Sequence, residues 1–136
     1  MTNVKRHAPL YFLVDVVAVA LFVVIGRRNH HETGNVLLGA VKIAAPFLIA
    51  LVVGWVLAAF VPSIAGRSVA DADRAPLTNR VGLVVWACTV VLGLALRRIV
   101  FQRGIAIAFI IVATITLGVF LLGWRAVARA MAHRAV

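Results

Sequence analysis

Two charged side chains, Asp15 and Lys42, fall inside long apolar runs of this chain. Asp15 lies about six residues into the first run, roughly 9 Å deep at 1.5 Å per residue if that run crosses a bilayer. At that depth an ionised carboxylate is costly unless it meets polar partners or water. Asp15 is therefore the best candidate proton or polar site, where a carboxyl group can exchange a proton while a solute moves. Its plainer role is a hydrogen bond between helices, or a reach to the near interface. Lys42, near the start of the second run, invites an ion pair with Asp15, and it is the second candidate polar site. In antiparallel helices, however, the two sit near opposite faces, ~12 Å apart in depth. Lys42 is expected to extend outward to the interface instead.

A second constellation is cationic. Gly26-Arg27-Arg28-Asn29-His30-His31-Glu32 leaves the first run, and Arg97-Arg98 leaves the third on the same face. A guanidinium forks onto phosphate oxygens as an ammonium cannot. Arg27, Arg28, His30, Arg97 and Arg98 are thus candidate contacts for an anionic headgroup, a phosphate or pyrophosphate. Arginine pairs also simply end and orient membrane helices. A metal site is not expected, because His30, His31 and Glu32 are adjacent and diverge by about 100° per residue on a helix, with no Cys or Asp at ligand spacing. The four histidines, His7, His30, His31 and His133, lie outside the apolar runs, where a membrane haem would not find them. No cofactor is expected. No nucleophile with its base, phosphate-cradling glycine loop or pair of acids is present, so an enzyme is not expected either.

These residues are positioned by helices. Of 136 residues, 64% are hydrophobic and 13% charged, and mean hydropathy is +1.09. A chain this short cannot bury so much apolar surface in a core of its own, so the bilayer must be its solvent. Apolar runs at about 9–25, 36–61, 81–96 and 105–124 predict one domain, 1–136, of four transmembrane helices. The third helix is expected to continue past Arg97 and Arg98 toward Phe101. Continuous rather than alternating apolarity excludes a barrel, and the segments lack the polar outer faces of a soluble bundle. The expected fold is all-α, a polytopic four-helix membrane bundle. The start, Lys5-Arg6 before an apolar stretch, imitates a signal peptide, but no cleavage site follows, and it reads as a retained first helix.

Within the second run, Pro46 frees a backbone carbonyl one turn earlier and marks a candidate hinge. Ala50, Gly54 and Ala58 follow at four-residue intervals as a helix-packing stripe, usable within the chain or across a dimer. Trp124 and Arg125, closing the fourth run, read as an interfacial anchor. Trp86 and Cys88 are expected to pack, and Thr89, Thr114 and Thr116 to bond across the bundle, line a polar path or, as is commonest, bond back onto their own helices.

The 14 Lys and Arg against 4 Asp and Glu give a net charge of +10. Scattered bases between membrane runs suit anionic lipid headgroups, the expected partners, and do not form a nucleic-acid-binding module. Eight bases at the N-terminus, the 62–80 loop and the C-terminal tail, against five in the other two loops, place both termini in the cytoplasm. The abundance of Ala, Val and Arg is that expected of a high-GC bacterium, so the expected home is a prokaryotic inner membrane, as a homodimer or part of a larger complex.

Several segments form a pattern: Asp15 leading to Gly26, Arg27, Arg28 and His30; Ala45-Pro46-Phe47; and Gly123-Trp124-Arg125. From about Leu10 to Arg129 the chain resembles the domain-of-unknown-function 3054 family of small prokaryotic membrane proteins. The resemblance implies four transmembrane helices and carries over no residue with a known task; Lys42 and His31 have no place in it. The expected role is a small membrane subunit or scaffold of the cell envelope. The alternative is a small proton-coupled transporter or flippase for an anionic or lipid-linked substrate.

Overall fold

A computed structural model describes residues 8–30, 34–60 and 79–134 of the chain. They form four α-helices: α1 (Ala8–His30), α2 (Val36–Phe60), α3 (Asn79–Ile99) and α4 (Ile107–Arg134). Each is long and apolar enough to cross a membrane, and no strand occurs among the described residues. The bases expected at the N-terminus and in the 62–78 stretch, with His7, His31 and Glu32, lie outside the described residues.

Local chemistry sets the helix ends. Before α2, Gly34 adopts a φ of +119°, a conformation that suits glycine. Asn35 then caps the helix, its Oδ1 accepting from the backbone N–H of Leu37 at 3.0 Å and Leu38 at 3.2 Å. At the end of α3, Val100 and Phe101 both donate to the Leu96 carbonyl, and Gln102 turns the chain with a φ of +48°. The fourth helix runs ten residues beyond the apolar span ending at Trp124. Its extension, Arg-Ala-Val-Ala-Arg-Ala-Met-Ala-His-Arg, is built from strong helix formers, which carry it past the point where hydropathy fades.

The helices pack in a ring, α1 against α2 and α4, and α3 against α2 and α4. Neighbours run antiparallel. Phe12 meets Trp55 and Phe22 meets Phe47 across α1 and α2, while Gly54 faces Val85 and Gly93 faces Phe47 across α2 and α3. Buried residues follow one helical stripe per element, such as Asp15, Ala18, Val19, Phe22 and Val23 on α1. The outward faces stay apolar, as a lipid solvent requires.

The closest approach joins α2 to α3. A Cβ at Gly54 would come within 3.1 Å of the Cys88 Cβ and 3.2 Å of the Val85 Cα, and one at Gly93 would run into the Phe47 ring. The stripe Ala50, Gly54 and Ala58 is buried inside the bundle. Gly54 lies against Val85 and Cys88 of α3, so the stripe packs within the chain, the first of the two uses offered for it. Pro46 is fully buried and α2 is helical on both sides of it. Thr89 and Thr114 donate to the Val85 and Ile110 carbonyls of their own helices, and the Trp86 indole donates to the Thr114 carbonyl of α4 at 3.1 Å.

Gly54→Leu should force α2 from α3 and cost at least about 1–3 kcal/mol, the usual penalty of overpacking. Gly123→Ala, where nothing lies within 4 Å of the added Cβ, should be neutral or stabilise by up to about 1 kcal/mol through helix propensity. Thermal unfolding in mild detergent checks both.

Candidate functional site

Asp15 heads the buried stripe of α1 and is completely inaccessible. Donors from two further helices, α2 and α4, converge on it. Arg125 of α4 grips the carboxylate with two parallel bonds, NH1 to Oδ1 at 2.7 Å and NH2 to Oδ2 at 2.6 Å. The indole N–H of Trp124 donates to Oδ1 at 2.7 Å, and that of Trp55 on α2 donates to Oδ2 at 2.8 Å. A carboxylate offers about four lone-pair directions. All four are used, by residues that only donate.

The supporting shell fixes the donors. Arg125 is 2% exposed, and its NH1 also donates to the Leu121 carbonyl one turn back at 2.7 Å. Its guanidinium carbon lies 4.7 Å from the centre of the Trp124 ring, a cation–π contact. Tyr11 stacks on the same Trp124 ring, 5.6 Å between centroids. Gly82 of α3 leaves room for the arginine stem, since a Cβ there would stand 3.0 Å from the Arg125 Cδ. The same fork geometry that suits Arg for phosphate suits it here for a carboxylate.

Trp124 and Arg125 are therefore corrected from an interfacial anchor to the inner partners of Asp15. Their position at the end of the apolar run suggested the interface, but α4 continues as a helix past them. Arg125 falls in register with the buried residues Ala113, Leu117 and Leu121, four apart. That spacing was the available signal: an arginine on the core stripe of a helix needs an acid or backbone carbonyls to pair with. Trp55, to which the residues alone assign no role, is a hydrogen-bond donor to the same acid. Lys42 is exposed on α2 and takes no part in the cluster.

The opposite end of the bundle holds a cavity of about 460 Å³, lined by α1, α2, α3, α4 and the connection before α4. Arg27 and Arg97 both line it, so two of the predicted headgroup residues are brought together. Arg28 and Arg98 are exposed and are not among its lining residues. The side chain of His30 lies outside the described residues. Twelve residues of α1 separate Asp15 from Arg27, about 18 Å along the helix axis. No group of three or more His, Cys, Asp or Glu that could hold a metal occurs among the described residues.

Four apolar helices closed by a buried acid–arginine pair define a multi-pass membrane protein. A family model described as "Protein of unknown function (DUF3054)" matches residues 12–128, and the chain belongs to that family. No curated protein and no solved structure matches it.

Removing one partner of a buried pair typically costs about 3–5 kcal/mol, because the other charge is stranded. Asp15→Ala and Asp15→Asn should both destabilise by that order, the asparagine amide meeting donors where it has donors of its own. The double variant Asp15→Leu/Arg125→Leu should lose far less than the sum of its singles. A double-mutant cycle by unfolding in detergent measures the coupling.

Proposed function

We propose that the protein is a non-catalytic membrane subunit or scaffold, a rigid four-helix module of the cell envelope. The observation that carries this reading is the closed coordination of Asp15: four donors on four acceptor positions, no solvent exposure, and three helices tied through one carboxylate. A proton-carrying acid must open to water in part of its cycle. A saturated, doubly gripped carboxylate serves instead to hold helices in one arrangement, which is what a docking platform needs. The outward faces, rich in Leu, Val and Ile, offer van der Waals surface to other membrane helices as readily as to lipid.

The alternative, a small proton-coupled transporter or flippase for an anionic substrate, draws on a different observation, the arginine-lined cavity at the other end of the bundle. It would need the Asp15 cluster to come apart during each cycle.

Native mass spectrometry of the protein extracted from its own membranes in mild detergent separates the two readings. The scaffold reading expects a second polypeptide at fixed stoichiometry. A chain found alone that also moves protons across proteoliposome membranes, in a manner lost in a folded Asp15 variant, overturns it.

A further inference from the structure

The cavity at the far end of the bundle has the composition of an amphiphile's binding site. Nine of its eleven lining residues are apolar or glycine and two are arginines; no acidic residue is among them. Its volume of about 460 Å³ falls within the roughly 300–1,000 Å³ of small-molecule sites. Both arginines are placed by specific neighbours. The Arg97 guanidinium carbon lies 4.4 Å from the centre of the Phe109 ring, a cation–π contact that orients the planar fork. Arg27 lies across Gly39 of α2, and a Cβ at that position would overlap its guanidinium. The glycine thus makes the notch in which Arg27 rests.

The rest of the cavity wall is hydrocarbon, buried at Phe22 and more than half exposed at Val112 on its outer side. Phe22, Ile43 and Val112 line it alongside Phe109, and Phe22 and Phe109 stand with Phe47 in a triangle of rings with centroids 5.4–6.3 Å apart. An inorganic anion would leave these walls unsatisfied, whereas a headgroup with an attached chain covers them. The site lies where α1 and α3 end and α4 begins, the level at which headgroups meet the hydrocarbon.

We propose that this cavity binds one anionic phospholipid, its phosphodiester held between the Arg27 and Arg97 guanidiniums and the start of an acyl chain lying along Phe22, Ile43 and Val112. Charge complementarity selects the headgroup, and the apolar wall selects a lipid over a free phosphate. Arg28 and Arg98, facing outward, belong to the general attraction of basic residues for the membrane surface and not to the site.

The test uses the purified full chain in mild detergent and native mass spectrometry, with phosphatidylglycerol, phosphatidylcholine of the same chains, and inorganic phosphate as probes. The wild type should retain one phosphatidylglycerol in preference to phosphatidylcholine, and inorganic phosphate should not displace it. Arg27→Gln/Arg97→Gln should weaken retention by at least about tenfold, the effect of losing one charge-assisted contact. Arg28→Gln/Arg98→Gln should retain the lipid as the wild type does. Val112→Trp, which fills the chain portion and leaves both arginines, should also release it, and decides the matter if the inner double variant fails to fold. Equal retention of both lipids, displacement by inorganic phosphate, parity between the two double variants, or undiminished binding by folded Val112→Trp each overturns the proposal.

Discussion

A carboxylate placed in a medium that cannot hydrate it must be fully hydrogen-bonded by the protein, and the arrangement of this bundle follows from how Asp15 meets that demand. Its four donors come from α2 and α4, so the acid on α1 fixes the rotation of three helices at once. Gly82 then lets α3 approach the arginine stem, which ties the remaining helix to the same point. Apolar packing between helices gives little direction in a bilayer, where lipid tails are as apolar as leucine. The ion pair supplies the direction that hydrophobicity does not.

Packing by small residues complements this polar knot. Gly54 and Gly93 bring α2 against α3, where no ion pair is present, and Phe47 occupies the space that Gly93 leaves. The bundle thus has two means of closure: an electrostatic one joining α1, α2 and α4 near the chain termini, and a steric one along α2 and α3. Between them, the rings of Phe22, Phe47 and Phe109 separate the sealed carboxylate from the arginine-lined cavity. The two ends of one small protein present charge in opposite ways, neutralised at one and collected at the other.

Much of this was legible in the residues. Four continuous apolar runs give four helices because backbone satisfaction in lipid leaves few other solutions. Asp15 stood out because it is the only acid in those runs. Its partner did not, because 110 residues separate Asp15 from Arg125 and the tryptophan beside it imitates an interfacial belt. Register on α4, with Arg125 four residues after Leu121 and eight after Leu117, held the answer, but it could be read only once the helix was known to extend to Arg134. The Arg27 and Arg97 pairing was legible as a shared face; which member of each arginine pair turns inward depends on Gly39 and Phe109, and neither is visible in hydropathy.

The separation of Asp15 from its partners along the chain also imposes an order on biogenesis. A ribosome delivers α1 first, with its carboxylate bare; Trp55 arrives 40 residues later with a single N–H, and the arginine only with α4. Until then the nascent bundle carries an acid with only one of its four N–H donors in place. A chain interrupted before α4 lacks Arg125 and Trp124 and so keeps that carboxylate without its arginine.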